Sequence, residues 1–315
     1  MEYNKWIADL AVSDEIEGYY VLKTAQIKKS RNDKPFLAAS VADSSGTIDA
    51  KAWDYGGPLG PQDEGTVIKL RAVVSEYQGV LQLIVSQIRP VREDDRFDLA
   101  DLVPAAPIDP AKSWQELLDL IDGMKDGDYA KICRHLLEKH ENRFRIIPGG
   151  KSMHHSFLNG LLMHTVYMAH IAEYLADVYA DVVNRDLLVA GTILHDVAKC
   201  DEFITSPLGL VTEYSVKGQL LGHLVMGAEE VALAARELGT PEEKSILLQH
   251  MLLSHHGEPE FGAAVRPVCA ESELLSMIDL IDSRMEIYKE TMDETEVGGF
   301  SKKVFALDKK IFRHQ

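Results

Sequence analysis

Residues 192–200 read TILHDVAKC. An apolar run here carries a histidine, an aspartate and a lysine within five positions, and burying such groups without partners costs several kcal/mol. Either the three satisfy one another or they serve chemistry. His195 shares a helical stripe with Leu187, Gly191, Leu194 and Ala198, with Asp196 directly after it and Lys199 four residues on. The histidine therefore points inward, where its polarity has to be accounted for.

The same feature recurs around this stretch. Nine of the twelve histidines fall between His154 and His256: 154, 155, 164, 170, 195, 223, 250, 255 and 256. His164 lies with Leu161, Met168 and Ile171 at helical spacing, His223 with Leu220, Leu224, Gly227 and Val231, and His255 with Leu247, Met251 and Ser254. Asp279 falls in LLSMIDLIDSRM beside Leu275 and Ile278, with Asp282 nearly on the same face. A single inward histidine is ordinarily a satisfied core residue. Several helices that each turn His or Asp inward would accumulate burial costs unless they share a partner, and a metal site is the economical one. Neutral imidazole and carboxylate suit Zn, Mn, Fe or Co. Six or seven donors exceed the need of one tetrahedral ion, so two ions bridged by a carboxylate are expected, with Asp196 as the bridge. His170 and His250 are read as helix-surface or supporting residues.

The N-terminal part has a different period. From about Glu17 to Ile88, the runs GYYVLKTAQI, PFLAASVAD, GTIDAKAW, TVIKLRAVV and VLQLIVSQI are rich in β-branched and aromatic residues and are parted by SRNDK, DSSG and GGPLGPQDEG. Five short strands predict a small barrel, with the oligonucleotide-binding OB-fold as the leading candidate and a purely structural barrel as the alternative. Lys28, Lys29, Arg31 and Lys34 cluster about the first turn near Phe36 and Trp53, the pairing of cations and rings that single-strand binding uses. Residues 1–95 carry 11 basic and 15 acidic side chains, so 11 − 15 leaves −4 and only local asymmetry can make a groove. The segment RPVREDDRFDLADLVPAAPIDP reads as a linker. Beyond it the helical period begins with SWQELLDLIDGM and YAKICRHLLEKH, then a loop, RIIPGGKSMHHS, then helices to about residue 290. Thr240, Pro241 and Glu243 predict a helix start with Thr at the N-cap.

Composition narrows the classes further. The chain has 315 residues, enough for two domains, with 46% apolar and 26% charged residues, the balance of a soluble globular protein. The opening MEYNKWIADL lacks a basic flank before an apolar run, and no stretch approaches the ~20 apolar residues of a membrane span, so no membrane partner and a cytoplasmic location are expected. Cys133, Cys200 and Cys269 are widely spaced and read as inert thiols. The net charge of −17 argues against an electrostatic sponge for nucleic acid, so positive charge at a phosphate site must be local. Gly150-Lys151-Ser152 imitates the end of a phosphate-binding P-loop, but Arg145 stands where that pattern needs glycine, and the ATPase reading is rejected.

The order His164, His195-Asp196, His223, His255-His256, Asp279 resembles the HD superfamily of metal-dependent phosphohydrolases, an all-helical fold. An OB-like barrel, a linker, then HHSFLNGLLMHT, LLVAGTILHDVAK, GQLLGHLVMG and MLLSHHGEPEFG, down to FSKKVFALDKKIF, resembles the YhaM family of bacterial 3′-to-5′ exoribonucleases over nearly the whole chain. The expected architecture is multidomain: an N-terminal all-β five-stranded OB-fold barrel (1–95), a linker with accessory helices (96–150), an all-α HD phosphohydrolase domain (151–290) and a C-terminal extension (291–315). The resemblance implies that His164, His195, Asp196 and Asp279 hold one metal, and Asp196, His223 and one or both of His255 and His256 a second. The ions are expected to be manganese first, with cobalt, iron or zinc compatible.

Two such ions would lower the pKa of a bridging water and clamp phosphate oxygens, so the nucleophile is hydroxide. Asp196 is then the central catalytic carboxylate, and Lys199 meets the phosphate as a point charge, the alternative being a salt bridge to a nearby acid. Lys151, His154 and His155 match the family's text and are expected to grip the RNA terminus, with Lys28, Arg31, Phe36 and Trp53 along the strand. The expected activity is exonucleolytic release of nucleoside 5′-monophosphates from single-stranded RNA and, since nothing visibly reads a 2′-hydroxyl, from DNA too. Two other readings stand beside it: an HD phosphohydrolase of free or cyclic nucleotides, and a non-catalytic nucleic-acid-binding factor. Self-association into a homo-oligomer is expected, through the C-terminal segment.

Overall fold

The computed structural model describes residues 2–30, 32–151 and 155–315, which places Arg31 and His154 outside the described residues. The chain divides into two compact units, 1–105 with 206–208, and 106–205 with 209–315. This differs from the four-part division expected from sequence. Residues 96–105 go with the barrel, and the accessory helices share the core of the helical unit.

The first unit is a closed β-barrel. Its strands are β1 (Glu2–Tyr3), β2 (Glu15–Lys29), β3 (Pro35–Asp43), β4 (Gly46–Trp53), β5 (Val67–Tyr77) and β6 (Val80–Pro90). Five of them are the sequence runs, each within a few residues of its expected ends; β1 is a two-residue addition that pairs parallel with β2. Long β2 closes the barrel by pairing antiparallel with both β5 and β3. The register slips between Leu22 and Thr24, and a bulge of that kind bends a strand between two neighbours. The last closure is the parallel pairing of β4 with β6 through Asp49, Ala50 and Lys51. Inward residues such as Ile16, Leu22, Leu37, Val41, Leu70 and Leu83 fill the interior.

The second unit is helical, with α1 (Pro110–Asp122), α2 (Gly127–Phe144), α3 (Gly160–Val178), α4 (Arg185–Leu194), α5 (Lys199–Glu202), α6 (Val216–Leu238), α7 (Glu242–Ser254) and α8 (Ala270–Asp293). Caps explain several starts: Asp109, Asp126, Asn184 and Ser215 each accept from backbone N–H groups of the first turn. The expected Thr240 cap does not form. Pro241 occupies the cap position of α7, and the Thr240 hydroxyl has no hydrogen-bond partner among the described residues. The unit is not purely helical, because β7 (Phe203–Thr205) and β8 (Val211–Tyr214) form a short antiparallel hairpin. A continuous core runs from Trp114 on α1 to Ile278 on α8. No helix among the described residues is long and apolar enough to cross a membrane.

Candidate metal centre

Six chain segments bring the polar groups together. His164 projects from the first turns of α3, while His195 and His255 follow α4 and α7 as their C-terminal caps. Each cap histidine is held through Nδ1, which lies 2.7 Å from Thr192 O in one case and 2.8 Å from Leu252 O in the other. A carbonyl only accepts, so Nδ1 carries the proton and Nε2 is left as a lone pair. His164 Nδ1 lies 2.6 Å from Asp282 Oδ2, and His223 Nδ1 lies 3.1 Å from Glu202 Oε1. Four imidazoles thus have one nitrogen fixed by an acceptor and the other turned toward a common centre, where the Nε2 atoms of His164 and His195 lie 3.2 Å apart, the arrangement that supporting residues impose on metal ligands.

Asp196 is that centre. Its Oδ2 lies 3.1 Å from His195 Nε2 and 3.8 Å from His164 Nε2, while its Oδ1 lies 3.3 Å from His223 Nε2 and 3.8 Å from His255 Nε2. Asp279 Oδ1 adds a second carboxylate 3.3 Å from His164 Nε2. The His256 ring packs edge-on against that of His255, with centroids 4.4 Å apart. Among the described residues, buried Asp196 Oδ1, His223 Nε2 and His256 Nδ1 have no hydrogen-bond partner. Orphaned lone pairs that converge at this depth fit divalent cations. His164, His195 and Asp196 form one group with metal-ligating geometry, and His223, His255 and His256 another.

A break in the chain sets His223. Gly222, at φ 72° and ψ 160°, interrupts α6 in a conformation essentially reserved for glycine, so His223 opens a new helical segment whose N–H donates to Glu202 Oε1 at 3.0 Å. Gly218 lets the first turn of α6, ahead of the break, approach closely, because a Cβ there would lie 2.6 Å from the Glu202 carbonyl.

The electrostatics are uneven. Burial, reinforced by the neighbouring His256 and His195, keeps His255 neutral by lowering its pKa far below the usual value, and burial lowers His256 too. At His164 burial opposes the charge, but Asp279 and Asp282 outweigh it and raise the pKa to about 9. Burial also opposes ionisation of Asp196, yet Lys199 and His195 hold its carboxyl well below the ordinary range. Asp279 is lowered in the same way, its burial overcome by His164.

The remaining expected site residues fall in different places. Lys199 Nζ lies 2.7 Å from Asp196 Oδ2 and donates to Gly149 O at 2.8 Å, so the salt bridge considered as the alternative is formed. His155 is not at a substrate-facing mouth. It is 1% exposed, its Nε2 lies 2.8 Å from Asp282 Oδ2, and it supports the His164 side. Lys151 is exposed, with its ammonium 5.6 Å from the Tyr214 ring centre. Asp279 faces His164 Nε2 and Asp282 the supporting Nδ1 of the same ring, which separates two aspartates that periodicity alone confuses. In the barrel, Lys28, Phe36 and Trp53 stand opposite one another across β2, β3 and β4, and the two rings lie 4.7 Å apart. Trp53 is half exposed. Lys29 and Lys34 are paired at the surface with Asp33 and Asp54, which offsets part of the charge of the expected basic cluster. Glu202 escaped sequence reasoning, since an acid in KCDEF carries no signal of its partner twenty-one positions away.

The family model of the HD domain matches residues 161–284, so the helical unit contains an HD domain, which points to metal-dependent phosphoester hydrolysis. The HD domain of the L. monocytogenes phosphodiesterase PgpH is 18% identical, with 49% of this chain and 73% of that one covered and a TM-score of 0.29. The OB domain of Ta0387 from Thermoplasma acidophilum is 18% identical over 31% of this chain and 94% of that one, TM-score 0.26. A replication protein A heterotrimer bound to single-stranded DNA contains a chain 18% identical, TM-score 0.21; the match covers 28% of this chain and spans 64% of that chain's length.

Proposed function

We propose that the protein is a metal-dependent 3′-to-5′ exonuclease that shortens single-stranded RNA, and DNA of the same form, to nucleoside 5′-monophosphates. The observation that carries this reading is the convergence of four oriented imidazole Nε2 atoms on the two oxygens of Asp196. His164, His195, Asp196 and Asp279 would hold one divalent cation, and Asp196, His223, His255 and His256 a second, with manganese our first choice. Bound there, such ions supply Lewis-acid activation of water and neutralise the phosphate.

The chain's own residues do the rest. Asp196 offers one oxygen to each group of imidazoles and fixes their separation. Lys199, whose burial opposes its charge but whose contact with Asp196 raises its pKa, stays cationic and supplies a positive charge for a phosphate oxygen. Glu202 and Asp282 keep the imidazoles in the tautomer that presents Nε2. On the barrel, Lys28, Phe36 and Trp53 form a row in which rings stack bases and the cation meets the backbone. The direction of attack and the choice of RNA come from the resemblance to the YhaM family. We also take the chain to act as a homo-oligomer, through the exposed Phe300, Phe305 and Phe312 of the C-terminal segment; sedimentation of wild type against Phe305→Asp tests this.

Digestion of a 5′-labelled single-stranded RNA with Mn²⁺, set against EDTA and against Asp196→Ala, tests the activity. A metal-dependent ladder receding from the 3′ end, lost in the variant, is expected. Intact RNA with turnover of free or cyclic nucleotides would move the substrate to that class. Binding without hydrolysis of either would leave a non-catalytic factor.

A further inference from the structure

A cavity of about 400 Å³ opens beside the metal centre, with His255, His256 and Asp279 in its lining. That volume is typical of single small-molecule sites, roughly 300–1,000 Å³. One wall is α8, where Glu273, Ser276, Met277, Leu280 and Ser283 follow at three- and four-residue steps on the side that also carries Asp279. The other is the loop after α7. It turns at Gly257, φ 76°, directly beyond the paired histidines, and brings Phe261, three-quarters exposed, into the lining.

The chemistry of this lining is selective. Phe261, Pro267, Met277 and Leu280 give it flat and flexible apolar surface, and none of its residues is Lys or Arg. Away from the paired histidines, its polar groups are acceptors. The Ser276 hydroxyl donates to Glu273 O and the Ser283 hydroxyl to Leu280 O, so both hydroxyl protons are used on the helix and only oxygen lone pairs remain. Glu258 is occupied by Arg266 at 2.8 Å, whereas the Glu273 carboxylate has no ion pair among the described residues. An apolar shelf with an acceptor-only rim suits an aromatic base attached to hydroxyl donors, and it repels a second phosphate.

We propose that this cavity receives the 3′-terminal nucleoside of the strand, with its base on Phe261, Met277 and Leu280 and its sugar hydroxyls donating to Glu273 and Ser276, and that the rim rejects a 3′-phosphate. The assignment rests on the exonuclease reading and gives it a substrate end: a free 3′-hydroxyl. The walls offer the base no directed hydrogen bonds, so the terminal base is read by stacking and not by identity. The scissile phosphate then lies at the His255, His256 and Asp279 edge of the cavity.

Two 5′-labelled RNAs of one sequence, ending in 3′-hydroxyl or 3′-phosphate, test this with the full-length protein and Mn²⁺. Wild type should shorten the hydroxyl end roughly tenfold or more faster, because like charges are set against each other at the phosphate end. Phe261→Ala should lose about 5- to 100-fold in kcat/KM on the hydroxyl end, the loss of one stacked base, while its Mn²⁺ affinity stays that of wild type. Glu273→Gln should narrow the preference between the two ends. Equal rates on both ends, or wild-type kcat/KM in Phe261→Ala, overturns the cavity assignment alone. No shortening of either RNA by wild type that turns over free nucleotides overturns the exonuclease reading, and this assignment with it.

Discussion

Asp282 offers a direct test of how the metal centre is held. Both His155 Nε2 and His164 Nδ1 approach the same atom, Oδ2, at 2.8 and 2.6 Å. Asp282→Ala removes two charge-assisted bonds from a buried site, and breaking a buried ion pair by deleting one partner costs roughly 3–5 kcal/mol. In a unit of this size that lowers the melting temperature on the order of 10 °C. Asp282→Asn keeps an acceptor oxygen in the same place without its charge. The difference between charged and neutral hydrogen bonds, about 1 kcal/mol each, then gives a loss of about 2 kcal/mol for the pair. If His164 is a ligand, Mn²⁺ affinity measured by calorimetric titration falls 10- to 100-fold in the alanine variant, the usual effect of removing a support behind a metal ligand, and falls by less than about tenfold in the asparagine variant. The charge also has a pH signature. Burial raises the Asp282 pKa, but His155 and His164 outweigh it and hold it at about 2. A depressed carboxylate stabilises the folded state fully above its unfolded value near 4, and the benefit disappears as pH falls toward 2. The melting gap between wild type and Asp282→Asn in EDTA should therefore shrink as pH falls below 4. Wild-type Mn²⁺ affinity in Asp282→Ala, or a gap that widens in acid, would refute the reasoning.

Four further outcomes are expected. Lys199→Met should cut hydrolysis by roughly 10²-fold or more while Mn²⁺ affinity holds or rises, because a cation 2.7 Å from Asp196 Oδ2 is removed; a parallel loss of metal would make Lys199 structural. Gly222→Ala forces a side chain into a backbone conformation at φ 72° and should cost about 1–3 kcal/mol by thermal denaturation, with the stoichiometry of bound Mn²⁺ reduced through His223. Trp53→Ala should weaken binding of single-stranded RNA by about 1–3 kcal/mol in fluorescence anisotropy, leaving turnover of a dinucleotide substrate unchanged. Burial pushes the Cys133 and Cys200 thiols well above their usual range, so native protein at pH 8 should take one iodoacetamide label, at half-buried Cys269, by mass spectrometry; three labels would contradict the packing.

The barrel strands were legible because alternation and β-branched residues act locally, and β3 and β4 coincide with the runs PFLAASVAD and GTIDAKAW. Closure was not legible. It depends on the bend of β2 near Lys23 and on the parallel contact of β4 with β6, neither of which leaves a local pattern. At the metal centre, inward stripes marked His164, His195 and His223, since a polar residue on an apolar face is conspicuous in sequence. Orientation within the site was harder. Asp279 and Asp282 lie three residues apart on one helix, and only packing decides which meets Nε2 and which meets Nδ1. His155 was misread for the same reason, because a histidine in a glycine-rich loop gives no indication that it turns inward to a carboxylate 127 positions away.

That separation has a bearing on how the protein is made. His164 meets Asp282 across 118 positions, and Asp196 meets His223 of α6 and His255 at the end of α7, both far later in the chain. Contacts so distant along the chain are closed late, after the intervening helices have packed, and synthesis delivers α8 last of the contributing helices. A chain still emerging from the ribosome, with Asp279 and Asp282 not yet outside, has no assembled centre. The metal centre is therefore assembled only when translation of the helical unit is nearly done.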